Sequence, residues 1–157
     1  MTETRTNPKT FEQVRPARLG LKLTPSATLT LTSPPWIKSV VERLDYLLRL
    51  PENWDQEGAL AVSFEVAMSA LSFLLERAFH DTPAPQLTPT AVGGLQLEWH
   101  VGGCDLEVVL SLNDPTMFFC VDSDGKETEG DALREEALVA QLIRKLPTRN
   151  DYNFFER

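Results

Sequence analysis

From Leu95 to Leu110 the chain alternates apolar and polar residues on both sides of Gly102-Gly103, breaking the pattern only at Val109. Period-two alternation marks strands with one buried face, and paired glycines accept the positive φ that a two-residue hairpin turn requires. The turn sets the register behind it, because slipping by one residue would reverse every side chain. Val101 should therefore face Cys104, His100 face Asp105, Trp99 face Leu106, Glu98 face Glu107, Leu97 face Val108 and Leu95 face Leu110. Leu95, Leu97, Trp99, Leu106, Val108 and Leu110 form a core face, and Glu98, His100, Asp105 and Glu107 occupy the opposite one.

Helical spacing governs the region before this hairpin. Ile37, Val40, Val41, Leu44, Leu47 and Leu48 recur at three- and four-residue intervals between Ser33-Pro34-Pro35 and Pro51. Serine caps helices and proline is tolerated in a first turn, so a helix over about 35–49 is predicted. Ser63 caps a second over about 64–79, with Phe64, Ala67, Leu71, Leu74, Leu75 and Ala78 directed inward. A proline-threonine connector, Thr82–Gly94, leads to the hairpin and includes a candidate short strand near Gln86–Thr88. Asn113-Asp114-Pro115 turns the chain into a strand at Met117–Val121, and Asp124-Gly125 turns it toward a short fourth. Asp131 is expected to cap a last helix of about 132–146, carrying Leu133, Ala137, Ala140, Leu142, Ile143 and Leu146 on one side. The expected fold is a two-layer α+β domain over 33–147, an antiparallel meander of three to four strands covered by about three helices.

Two segments flank that domain. Residues 1–32 read as a flexible or strand-donating arm, since Leu19, Leu21, Leu23, Ala27, Leu29 and Leu31 alternate with polar residues. Such a run suits either an edge strand or an extended segment that orders on a partner. Residues 148–157 form a tail in which Tyr152, Phe154 and Phe155 dock back on the core or anchor in a partner.

Charge sharpens the division. The net charge of −8 over 157 residues combines +3 in residues 1–32, five basic against two acidic, with −11 in the remainder. An acidic body repels a phosphate backbone, which argues against direct nucleic-acid binding and favours a protein partner with a basic surface. The opposite sign of the arm also allows it to reach a second copy, so a homodimer is the other partner considered. No apolar run approaches the ~18 residues of a membrane span, and no secretory-type apolar core begins the chain. With only Cys104 and Cys120, placed where cysteine packs as a small apolar residue, a cytoplasmic protein without membrane attachment is expected.

Candidate chemistry sits in two places. Glu98 opposite Glu107 sets like charges directly across the hairpin, and His100 and Asp105 lie beside them. His and carboxylates are legitimate metal ligands, so Glu98, His100, Asp105 and Glu107 define an alternative reading, a metal-dependent hydrolase. A solvated outer sheet face accounts for the same four residues, and no established metal-ligand spacing occurs. The second place is the loop Asn53-Trp54-Asp55-Gln56-Glu57-Gly58-Ala59. Trp54 there either plugs the core or, flanked by Asp55 and Glu57, captures an arginine or lysine by cation–π contact and charge. No Walker loop, GxGxxG, zinc-finger spacing or serine elbow is present, and His80 and His100 are the only histidine bases.

The leucine-rich helix, the NWDxxGA loop, the P-x-P-x-x-x-P-T connector and the GG-x-x-x-EW hairpin together resemble a set of small uncharacterised bacterial proteins. The match falls on Asn53, Trp54, Asp55, Gly58, Ala59, Pro83, Pro85, Pro89, Thr90, Gly93, Gly94, Glu98, Trp99 and Glu107, within about residues 40–110. The resemblance implies the domain and supplies no mechanism. The expectation is a non-enzymatic bacterial adaptor or regulator without cofactor, binding its partner through Trp54, Asp55, Glu57, Leu29, Leu31, Tyr152, Phe154 and Phe155.

Overall fold

The computed structural model describes residues 33–146. The arm with Leu29 and Leu31 and the tail with Tyr152, Phe154 and Phe155 lie outside the described residues.

Helix α1 spans Pro35–Leu47. Pro35 presets the helical φ in the first turn, where a missing N–H costs nothing. The expected Ser33 cap does not form: Pro34 is the N-cap, and the Ile37 amide donates to the Pro34 carbonyl at 3.0 Å. Helix α2, Phe64–Arg77, does use its predicted cap, with Ser63 Oγ accepting from the Val66 amide at 3.3 Å. Its buried stripe is Val66, Ala67, Ala70, Leu71, Phe73, Leu74 and Arg77, rotated from the expected one, and Phe64 is exposed. The rotation follows from packing, because α2 lies against α1, the sheet and the last helix and must bury a broad face.

The sheet is a five-stranded antiparallel meander, β1 (Gln86–Pro89), β2 (Leu95–Val101), β3 (Cys104–Leu110), β4 (Met117–Val121) and β5 (Glu127–Asp131), paired in chain order. This is the expected α+β arrangement, with five strands rather than three to four. The two edge strands escape the alternation pattern because each buries little: β1 contributes Leu87, and β5 buries no residue fully. The β2–β3 register is the predicted one at every position from Leu95–Leu110 to Val101–Cys104. Gly102 and Gly103 hold φ of 60° and 76°, the conformation that the tight turn demands.

The inner sheet face carries Leu87, Leu95, Leu97, Trp99, Leu106, Val108, Leu110, Phe118 and Cys120, and α1 and α2 pack on it. Trp99 is 1% exposed and donates from Nε1 to the Pro83 carbonyl at 2.8 Å. Trp36, also buried, donates to the Phe79 carbonyl at 2.9 Å and so ties α1 to the end of α2. Each indole brings its polar N–H inside with a partner, which removes the cost of burying it.

Helix α3 spans Glu136–Lys145 and starts four residues later than predicted. The Ala132 amide still bonds the Thr116 carbonyl at 2.7 Å, so the ladder runs one residue past β5. Asp131 does act as a cap, but of a turn, with Oδ1 accepting from Leu133 and Arg134 at 2.9 and 3.1 Å. Leu133 and Ala137, expected inward, are exposed, and Val139, Ile143 and Leu146 supply the buried contacts. No helix of the described residues is long and apolar enough to cross a membrane.

Candidate functional site

The loop between α1 and α2 is held by its own polar residues. Asn53 donates its amide to the Ala59 carbonyl at 2.7 Å and accepts at Oδ1 from Gly58 at 2.7 Å, closing the loop. Asp55 Oδ1 accepts from the amides of Glu57 and Ala59 at 2.9 and 3.0 Å. Those bonds, the one from Ala59 foremost, favour the carboxylate and hold Asp55 below its ordinary pKa. Asn53 and Gln56 adopt φ of 62° and 65°, a region that Asn tolerates and that costs other side chains on the order of 1 kcal/mol.

Trp54 is half-buried rather than a core plug, and its Nε1 donates to the Leu60 carbonyl at 3.2 Å. The indole thus spans the loop. Beyond it, residues 60–63 run alongside 91–93: the Leu60 amide bonds the Ala91 carbonyl at 2.9 Å, Leu60 and Val92 form a parallel bridge, and the Ser63 amide bonds the Gly93 carbonyl at 3.1 Å. Gly93 permits this approach, since its φ is 78° and a Cβ there would stand 2.9 Å from the Ala61 carbonyl.

Three large apolar side chains come to the surface around this junction, Leu60 at 52%, Phe64 at 57% and Val92 at 68% exposure. Buried Ala59 and Val62 alternate with exposed Leu60 and anchor the segment from beneath. Asp55, Glu57 and Glu65 are its acidic neighbours along the chain, and Glu57 and Glu65 are exposed. Glu65 lies below its ordinary pKa, through its own backbone N–H and then the Ser63 hydroxyl, which donates to Oε2 at 2.8 Å. Of the predicted partner residues, Trp54, Asp55 and Glu57 share this loop. Leu60, Phe64 and Val92, exposed beside it, were not among them. Residues 59–62 are all apolar and give no pattern that marks Leu60 as exposed, and only the long-range bridge reveals Val92.

On the outer face of the hairpin, three of the four acidic-face residues converge. His100 Nδ1 lies 2.8 Å from Asp105 Oδ1, and Nε2 lies 3.4 Å from Glu98 Oε2. The hydrogen bond to Asp105, then that to Glu98, raises the His100 pKa against the opposing effect of burial. Glu107 turns elsewhere and accepts from Gln96 Nε2 at 2.9 Å. The facing glutamates therefore find separate partners. Both ring nitrogens of His100 are engaged by carboxylates, and no group of three or more His, Cys, Asp and Glu among the described residues could hold a metal ion.

A cleft of about 300 Å³ near the ends of α2 and α3 is lined by Phe79, Asp81, Thr82, Ile143, Arg144 and Leu146. The Arg144 guanidinium covers the Phe79 ring at 4.2 Å, and Thr82 Oγ1 accepts from the Phe79 amide at 2.7 Å. No histidine among the described residues lines the cleft. Cys120 is buried, and desolvation raises its thiol pKa, the opposite of what a nucleophile needs. No family model, curated protein or solved structure matches the chain.

Proposed function

We propose that this chain is a non-enzymatic adaptor or regulatory protein that acts through protein–protein contact. The surface around Leu60, Phe64 and Val92, with Trp54 beside it, is its docking site. The observation that carries the reading is the joint exposure of these three apolar side chains on a backbone fixed by the 60–63 and 91–93 hydrogen bonds. Apolar residues held rigidly in water at a loop junction suit an interface core, since little ordering entropy remains to be lost on binding. The acids along the loop suit a basic rim on the partner, which speeds encounter more than it tightens the complex. A guanidinium or ammonium brought over the half-exposed Trp54 ring would add cation–π attraction.

The test is site-specific photo-crosslinking of the full-length protein in its host cells. A crosslinker at Val92 should yield one discrete adduct that is lost when Phe64→Glu is added, whereas a crosslinker at the exposed Lys38 on α1 should not yield it. Equal adducts from both positions, or none from Val92, would reject the reading.

A further inference from the structure

The two edges of the sheet are not equivalent. On the β1 side, the bond from the Thr90 amide to the Gly94 carbonyl at 3.0 Å sets the phase of the ladder. Hydrogen-bonded pairs alternate in an antiparallel ladder, so Leu87 and Pro89 are the β1 residues whose backbone groups face outward. Arg43 Nε from α1 donates to the Leu87 carbonyl at 3.1 Å, and Pro89 has no N–H to offer. This edge is thus partly blocked, at the Leu87 carbonyl and at Pro89.

On the β5 side, the bonds Ala132 N–H to Thr116 O (2.7 Å) and Asp122 N–H to Lys126 O (3.0 Å) set the phase. Between them, Gly130 and Thr128 make the inward bonds to β4, and Glu127, Glu129 and Asp131 turn their backbone groups outward. The Asp131 carbonyl accepts from the Glu135 amide at 2.9 Å. The N–H and C=O of Glu127 and Glu129 have no partner among the described residues. The side chains of these same two residues stand on the outer face, in register with Val121 and Phe119. Both are exposed, and Asp131, the next acid along, already holds Arg134 Nε at 3.3 Å. An unprotected edge is a template for another strand, and natural sheets normally block theirs. Here the backbone of β5 is the more open of the two, and its protection is its charge.

We propose that β5 accepts, by strand addition, an extended segment of a partner protein that carries lysine or arginine at every second position. The incoming backbone completes the four free groups of Glu127 and Glu129, and its basic side chains lie beside the two carboxylates, where opposite charges across a ladder attract. Charge selects this occupant over a second copy of the chain. Two β5 strands set edge to edge would bring Glu127 and Glu129 against their own equivalents, and like charges in facing positions destabilise a ladder. The site uses none of the residues of the loop surface and does not depend on it.

An acetylated peptide alternating lysine with valine, titrated into the full-length protein, tests the inference. Binding should slow amide hydrogen exchange at Glu127 and Glu129. Glu129→Pro removes an outward donor without touching the bonds to β4, and should weaken binding about tenfold or more. N-methylation of the backbone amides of the central lysines, which in an antiparallel ladder are the ones that face Glu127 and Glu129, should do the same without altering the protein, and glutamate in place of lysine should abolish binding. Affinity indifferent to N-methylation would mean that the acidic body holds the peptide by charge alone, which overturns the proposal. So would Glu127 and Glu129 amides already protected in the free protein, because the edge would then be occupied by the chain itself or by another copy.

Discussion

Arg77 Nη2 lies 3.0 Å from Glu136 Oε1, so the guanidinium at the end of α2 reaches the first residue of α3. Arg77 is 7% exposed, rests over the Phe73 ring at 4.6 Å and also bonds Glu76 at 2.9 Å, while its Nε is buried without a hydrogen-bond partner. Glu136 itself is exposed, which screens the pair and limits what the charge contributes. The methylene stem packed against the core is worth more. Arg77→Ala should therefore cost about 2 kcal/mol, and Arg77→Met, which keeps the bulk and discards the unpaired Nε, should lie within about 1 kcal/mol of wild type. Urea unfolding of the three proteins gives the comparison. Equal losses in both variants would show that the ion pair, not the packing, joins the helices.

His100 makes stability depend on pH in a defined sense. Its pKa is raised in the folded state by Asp105 and then Glu98, so protonation favours folding. The contribution is fully present below the unfolded value of about 6.5 and is lost as pH rises through the higher folded value. The melting temperature gap between wild type and His100→Gln should be widest in mild acid and shrink above neutrality. The effect is small because the imidazole side chain is half exposed. A gap that widens with pH would contradict this assignment, and an NMR titration of His100 should place its pKa above the ordinary value.

Glu107→Gln separates two views of the hairpin's outer face. Gln96 already takes the Glu107 carboxylate at 2.9 Å, and His100 engages Glu98. Loss of one charge should then be neutral or slightly stabilising, and a chelator should leave the melting temperature unchanged. A large destabilisation together with chelator sensitivity would favour the hydrolase reading of Glu98, His100, Asp105 and Glu107.

Much of the hairpin was legible in the sequence because its signals agree locally: two adjacent glycines, two alternating runs and one tryptophan on the apolar side. The elements that were misread are those set by distant partners. Asp131 has the composition of a helix cap, yet the Ala132–Thr116 bond keeps the chain in the sheet and turns that cap to a different use. Phe64 fits the helical period of α2, but at the first position of the helix it clears the sheet and reaches solvent. The polar edge strand Glu127–Asp131 lacks the apolar alternation by which strands are recognised, and it was anticipated only from the Asp124-Gly125 turn before it. The loop acids Asp55 and Glu57 and the indole of Trp54 were visible as a cluster, whereas the pairing of Leu60 with Val92 across the chain was not.

Asp55 links the architecture of the loop to its proposed role. Its Oδ1 accepts two amides, from Glu57 and Ala59, and these bonds keep its pKa below the ordinary aspartate value. A depressed folded pKa gives stability that is present above the unfolded value of about 3.9 and is lost as pH falls through the folded one. Asp55→Ala should lower the melting temperature at neutral pH and make it less sensitive to acid than wild type. Asp55→Asn retains a carbonyl oxygen that can accept the same amides, and should fall between the two. Because Ala59 precedes Leu60, loosening this turn also frees the segment that presents Leu60 beside Val92, so crosslinking from Val92 should decline in the order wild type, Asp55→Asn, Asp55→Ala. If Asp55→Ala lowers the melting temperature while leaving that adduct at its full yield, the loop's hydrogen bonds serve folding alone, and the docking surface does not depend on them.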